Sequence, residues 1–191
     1  GDSARPHDPA CYPPDVLADD ALALIDHLGL SEYDLGGYSL GGKLVLRLLA
    51  RGARPAHAIV GGQGLDALDA ESDRTDEHRR TLAAVASGDA LSPGSPEESV
   101  AQWLRQTGTD PRAVGHVLGT SVATSPEALR HVPTPTLVVA GDRDSRSATA
   151  GSLAELLPRG RLVLVPGDHF AALEAPEFTA AVLDFLGQPR R

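Results

Sequence analysis

A serine hydroxyl at a tight bend is the feature of this sequence most suited to chemistry. Ser39 sits at the centre of Gly37-Tyr38-Ser39-Leu40-Gly41, a G-x-S-x-G pentapeptide between a short strand candidate, 33–37, and a helical run, 41–50. Such a bend lifts the serine above a sheet, and glycines at 37 and 41 let neighbouring backbone pass without a clashing Cβ. The following helix turns its free N–H groups towards a reacting carbonyl. The chemistry expected here is nucleophilic attack.

Two further spots carry titratable groups just beyond strong strand candidates. Asp142 and Asp144 follow the β-rich run 136–140, bounded by Pro135 and Gly141. His169 follows the run 161–165, which Pro166-Gly167 stops. The other histidines (7, 27, 57, 78, 116 and 131) read as surface or packing residues, and no pair of them has metal-ligand spacing with a carboxylate. No metal is expected. No phosphate loop or organic-cofactor fingerprint is visible, so no cofactor is expected either.

The elements that must position these groups alternate. A helix is predicted over 15–28, with Leu17, Ala21, Leu24 and Leu28 on one face and Gly29 as its stop. The strand at 33–37 has poor local propensity, because two glycines and an aspartate crowd it. A strand is predicted at 56–60 and further helices at 153–157 and 176–186. Strands alternating with helices imply a parallel sheet covered on both faces. From about 64 to 132 the alternation breaks into a polar, helical stretch. Within it Ser95-Pro96-Glu97-Glu98 reads as a capped helix start carrying Val100, Trp103 and Leu104. Trp103 reads as packing within that stretch more readily than as a substrate contact, and both readings are open.

Composition bounds the rest. At 191 residues, 41% apolar and 23% charged, the chain suits one domain with a sizeable core. A formal charge of -9, with no run of Lys and Arg, excludes a nucleic-acid-binding face. No apolar run approaches the roughly 20 residues of a membrane span. Cys11 is the only cysteine, which points to a reducing, cytoplasmic compartment.

Three motifs together resemble the α/β-hydrolase family. Residues 34–42 resemble its nucleophile elbow, 135–144 its acid strand, and 165–170 with 174–178 its histidine loop and closing helix. They occur in the order Ser, Asp, His, as in that family. The resemblance implies an α/β fold with a parallel sheet flanked by helices, a core of 1–64 and 132–191, and a short helical lid at 65–131. It also implies acyl transfer. His169 would take the Ser39 proton and return it to the leaving group, and Asp144, favoured over Asp142 by its place in the turn, would orient the imidazole. The Leu40 N–H would donate to the oxyanion, with Tyr38, Gly37 and Gly41 completing the elbow. Water then releases the acyl group.

The family places additional strands ahead of its elbow, and 38 residues precede Ser39 here. The opening 1–6 resembles the tail of the family's D-x-R-G-x-G-x-S turn, so the expectation is a partial fold. It would lack the His-Gly loop that gives a second oxyanion N–H, at a cost of about 10²–10³ in rate. Such a chain is expected to be poorly active and aggregation-prone. Gly1-Asp2-Ser3 resembles the nucleophile block of GDS-type lipases, but no strand precedes it and no Asp stands three residues before His169. Ser39 at the elbow argues against epoxide hydrolase and haloalkane dehalogenase chemistry, which need Asp there. The expected substrate is a small ester or lactone, because the lid is short and has few aromatics. The remaining alternative is a ligand receptor or inactive fragment on the same fold.

Overall fold

The computed structural model describes residues 4–70, 73–88 and 90–187. The lipase-like block at 1–3 lies outside them. The described residues form two compact units, one drawn from 18–69 and 123–191, the other from 1–17 and 70–122. Residues 65–69 and 123–131, predicted as lid, thus belong to the larger unit, and 4–17, predicted as core, to the smaller.

The larger unit is built on four parallel strands in the order β1-β2-β3-β4: β1 (Leu35–Tyr38), β2 (Ala58–Gly61), β3 (Thr136–Gly141) and β4 (Gly160–Val165). All six residues of β3 are buried, as a continuous apolar run covered on both faces requires. Successive side chains alternate between two cores. Ala58, Val60, Val138 and Ala140 face α2 (Leu40–Ala50), α6 (Pro126–Leu129) and α7 (Ala150–Leu156), meeting Val45, Leu46, Leu49, Leu129 and Leu153. Ile59, Leu137, Val139 and Val165 meet Ala172 of α8 (Ala171–Glu174) and Phe178, Val182 and Phe185 of α9 (Pro176–Leu186). Each fully buried Leu or Val contributes about 1.5–3 kcal/mol.

The weak strand is rescued by its neighbour. β1 contains two glycines, yet it runs in register with β2 from Leu35↔Ala58 to Tyr38↔Gly61. Backbone bonds extend the ladder at both ends, Leu35 N–H to the His57 carbonyl at 3.0 Å and Ser39 N–H to the Gly61 carbonyl at 2.9 Å. Pairing overrides propensity here.

The first helix, α1 (Val16–His27), buries a different stripe from the predicted one. Ala18, Ala21 and Leu22 pack on Leu44 and Leu48 of α2, while Leu24 and Leu28 are 56% and 57% exposed. The small residues and Leu22 form the inner side of the helix, and Leu24 and Leu28 fall on the outer side. His57 is a packing residue, as read from sequence. It is buried, its Nδ1 lies 3.0 Å from Asp34 Oδ1, and its ring meets Phe185 edge-on.

The smaller unit contains α3 (Asp73–Ser87), α4 (Pro96–Thr107) and α5 (Pro111–Leu118). α4 begins as its sequence predicts, with Ser95 Oγ accepting from the Glu98 N–H at 3.1 Å and Pro96 in the first turn. Leu104 is buried, but Trp103 is 54% exposed and is not a packing residue as the sequence suggested. The segment before α1 is strapped to these helices. His7 Nε2 lies 2.6 Å from Asp110 Oδ2, and Arg5 donates to the Gly108 carbonyl at 2.5 Å. The His7 hydrogen bond, with the N–H groups of Ala113 and Arg112 that Asp110 caps, holds the Asp110 carboxyl at about 2.

Candidate active site

Parallel strands bring their carboxyl ends to one edge of a sheet, which is where loops of an α/β fold carry chemistry. Ser39 follows β1, Asp144 lies three residues beyond β3, and His169 lies four beyond β4. The register Tyr38↔Gly61, Gly61↔Val139 and Gly141↔Val165 keeps those ends level.

The bend at Ser39 is sharp. Its φ of 54° and ψ of -118° lie in a region that L residues rarely occupy, at a cost of about 1–3 kcal/mol. Surrounding backbone holds it there. The Ser39 N–H is bonded to β2, and its carbonyl accepts from the Lys43 N–H at 3.1 Å and from the Gln63 side-chain amide at 2.6 Å. Ser39 Oγ does not cap α2, although the residue stands at the cap position. It reaches His169 Nε2 instead, at 2.9 Å.

The glycines act differently from the sequence expectation. A Cβ on Gly37 would stand 2.3 Å from the Gly41 carbonyl carbon and oxygen, so Gly37 is needed where the strand passes under the helix. A Cβ on Gly41 would meet nothing within 4 Å, and the second close approach belongs to Gly42, whose Cβ would lie 2.8 Å from the Gly61 carbonyl oxygen. The helix packs on β2 through the residue one place further on.

His169 is 6% exposed and meets Asp144 through Nδ1, 2.7 Å from Oδ2. Burial alone would raise the Asp144 carboxyl. The hydrogen bonds from His169, the Arg146 N–H and the Ser147 hydroxyl outweigh it and hold the group below the usual carboxylate range. An ionised Asp144 accepts a hydrogen bond from Nδ1–H, which keeps the proton on Nδ1, so Nε2 keeps the lone pair that faces Ser39 Oγ.

Asp142 does a separate job. Its Oδ1 accepts from the Gly167 N–H at 2.9 Å, and the Arg143 N–H donates to the Gly167 carbonyl at 3.0 Å. These bonds tie the turn after β3 to the turn that carries His169. Asp168 accepts from the N–H groups of Phe170 and Ala171, both at 3.0 Å, which lower its carboxyl in that order of Ala171 and Phe170. Leu40 begins α2, so its N–H has no partner one turn back. Among the described residues no group of three or more His, Cys, Asp or Glu is placed to hold a metal ion. No described helix is long and apolar enough to cross a membrane.

Tyr38 has a function that its place in the pentapeptide did not disclose. Its hydroxyl donates to the His169 carbonyl at 2.5 Å, and its ring stands 5.2 Å from the imidazole and 5.7 Å from Phe178. Burial, then the Asp144 charge, pushes the phenol up to about 12, so it remains a donor. The signal in the sequence was Gly61-Gly62. A Cβ at either position would come within 2.5–2.8 Å of the Tyr38 ring. Tyr38→Phe should unfold about 1 kcal/mol sooner in a denaturant titration and lower kcat several-fold, by loosening the loop that carries His169. Unchanged kcat would remove Tyr38 from the positioning of that loop.

Comparison with known proteins adds four findings. The model of the family described as "Alpha/beta hydrolase family" matches residues 1–182. The 2-hydroxymuconate semialdehyde hydrolase of Pseudomonas sp. (strain CF600) is 29% identical, over 98% of this chain and 73% of its own. A thermophilic esterase from Thermogutta terrifontis matches with a TM-score of 0.66 at 26% identity, over 89% of this chain and 70% of that one. An enol-lactonase from Burkholderia xenovorans LB400 reaches a TM-score of 0.75 over 98% of this chain and 77% of that one, and at 23% identity it speaks to the fold alone.

Proposed function

Because the chain belongs to the alpha/beta hydrolase family, we propose that it is a serine hydrolase that cleaves a small carboxylic ester or lactone through an acyl-enzyme. The observation that carries this reading is one line of hydrogen bonds, Ser39 Oγ to His169 Nε2 at 2.9 Å and His169 Nδ1 to Asp144 at 2.7 Å. Ser39 attacks the acyl carbon while His169 takes its proton. The tetrahedral oxyanion accepts from the Leu40 N–H at the start of α2. His169 then protonates the leaving alkoxide, which departs as the alcohol. A water, deprotonated in turn by His169, attacks the acyl group and frees the acid and Ser39. No step calls for a metal or an organic cofactor.

The esterase at 26% identity supports ester cleavage. A second reading rests on the relative at 29% identity, a 2-hydroxymuconate semialdehyde hydrolase: the same three side chains would then serve hydrolysis of a semialdehyde of that kind. A fluorophosphonate probe followed by peptide mapping tests the shared core of both readings. Ser39 should carry the label. A chain that stays unlabelled is a ligand receptor or an inactive member of the family. A panel of 4-nitrophenyl esters from two to twelve carbons then tests substrate size, and a clear optimum among the longest acyl chains would overturn the small-substrate assignment.

A further inference from the structure

We propose that Arg146 and Phe170 form an anion subsite beside His169, and that the substrate's acyl part carries a carboxylate which this subsite holds. The proposal rests on the serine-hydrolase reading and narrows its substrate class.

Two arginines occupy the turn after β3, and they are used differently. Arg143 lies beside Asp142 at 3.4 Å and is 70% exposed. Arg146 is half-buried, and its guanidinium has no carboxylate or carbonyl partner among the described residues. Its only contact of note is the Phe170 ring, whose centroid lies 5.7 Å from the guanidinium carbon. In a chain of net charge -9, an unpaired and partly desolvated cation stands out.

Both residues are tethered to the reacting groups. The Arg146 N–H donates to Asp144 Oδ1 at 2.8 Å, and the Phe170 ring stands edge-on to the His169 imidazole at 5.5 Å. Phe170 is 71% exposed, so it contributes little to the core and its ring is open to a ligand. The neighbouring carboxylates do not compete for the cation. Asp144 is buried against His169, and Asp168 is taken by two backbone N–H groups.

A planar guanidinium on an aromatic face presents a fork of N–H donors that matches a carboxylate. From the guanidinium through Phe170 to the imidazole runs a path of two ring-scale contacts. A carboxylate carried about three to five carbons from the reacting carbonyl reaches along this path towards the guanidinium fork, which extends to meet it. The chemistry points to half-esters of short dicarboxylic acids, or to lactones bearing such an acid arm. Phe170 packs against the methylene stem.

Matched pairs of 4-nitrophenyl esters test this: the glutaric half-ester against the valerate ester, and the adipic half-ester against the hexanoate. The wild-type chain should favour the acidic member of each pair. In Arg146→Gln the acidic-to-neutral ratio of kcat/KM should fall by about tenfold or more, the worth of one charge-assisted hydrogen bond. Arg146→Lys should restore part of it. A ratio unchanged in Arg146→Gln, or both esters falling together, overturns the subsite. Calorimetric binding of glutarate reads the same site without turnover, and its Kd should weaken about tenfold in Arg146→Gln. Glutarate bound through Arg146, with every ester left intact, sinks the hydrolase reading and keeps the subsite. Turnover of valerate ester, with glutarate binding indifferent to position 146, does the reverse.

Discussion

Ser39→Ala should abolish labelling by a fluorophosphonate and lower ester turnover by about 10⁴–10⁶-fold. The size of the effect follows from what the side chain does. Its Oγ is spent on no structural bond and meets only the His169 imidazole, so its loss removes the nucleophile and little else. Stability gives an independent check. Alanine at 39 keeps the strained φ of 54°, whereas glycine adopts that conformation without penalty. Ser39→Gly should therefore unfold later than Ser39→Ala by about 1 kcal/mol, with both equally inactive. If Ser39→Ala retained turnover within tenfold of the wild type, the nucleophile would have to be sought elsewhere and the proposed mechanism would fall.

Asp144→Asn should cost about 10⁴ in kcat, and Asp142→Asn less than about tenfold. The two carboxylates stand two residues apart in one turn, and their partners separate them. Asp144 accepts from His169 Nδ1, so an amide there can turn its own N–H₂ to Nδ1. The ring proton then moves to Nε2, and Ser39 loses its acceptor. Asp142 accepts from the Gly167 N–H, which an asparagine carbonyl oxygen still does. Equal losses in both variants would contradict this assignment.

The same contacts set a pH dependence. Asp144 is held below the usual carboxylate range in the folded chain and titrates near 3.9 when unfolded. Its ionised form therefore stabilises the fold above about pH 4, and that contribution fades as pH falls through the lower folded value. Urea titrations at pH 7 and pH 3 should show the stability gap between wild type and Asp144→Asn shrinking at the lower pH. A gap that widened would mean the carboxyl is raised by burial instead.

Much of the site could be read in the linear chain because its parts are local. A strand, a turn of glycine and serine, and a helix follow one another within about a dozen residues, and that order of types dictates the bend. Asp144 and His169 each sit just past a run whose β-branched and apolar content is strong without any partner. The helix start at Ser95 was likewise legible, since a cap bonds only to its own first turn. Local chemistry also misled in places. Gly41 was credited with a close approach that Gly42 makes, and Leu24 and Leu28 were placed on a buried face that α1 gives to Ala18, Ala21 and Leu22.

By itself, then, the sequence determined which groups were available and at which bends they sat. The tertiary structure decided who meets whom. Ser39 and His169 are 130 residues apart, and Tyr38 and His169 are 131 apart. Parallel pairing brings the ends of β1, β3 and β4 to one edge, and no residue pattern within a single segment encodes that register. The tyrosine under the histidine loop, the amide of Gln63 on the Ser39 carbonyl and the unpaired Arg146 on Phe170 are all products of it. Each depends on distances between segments that only a folded sheet brings within reach.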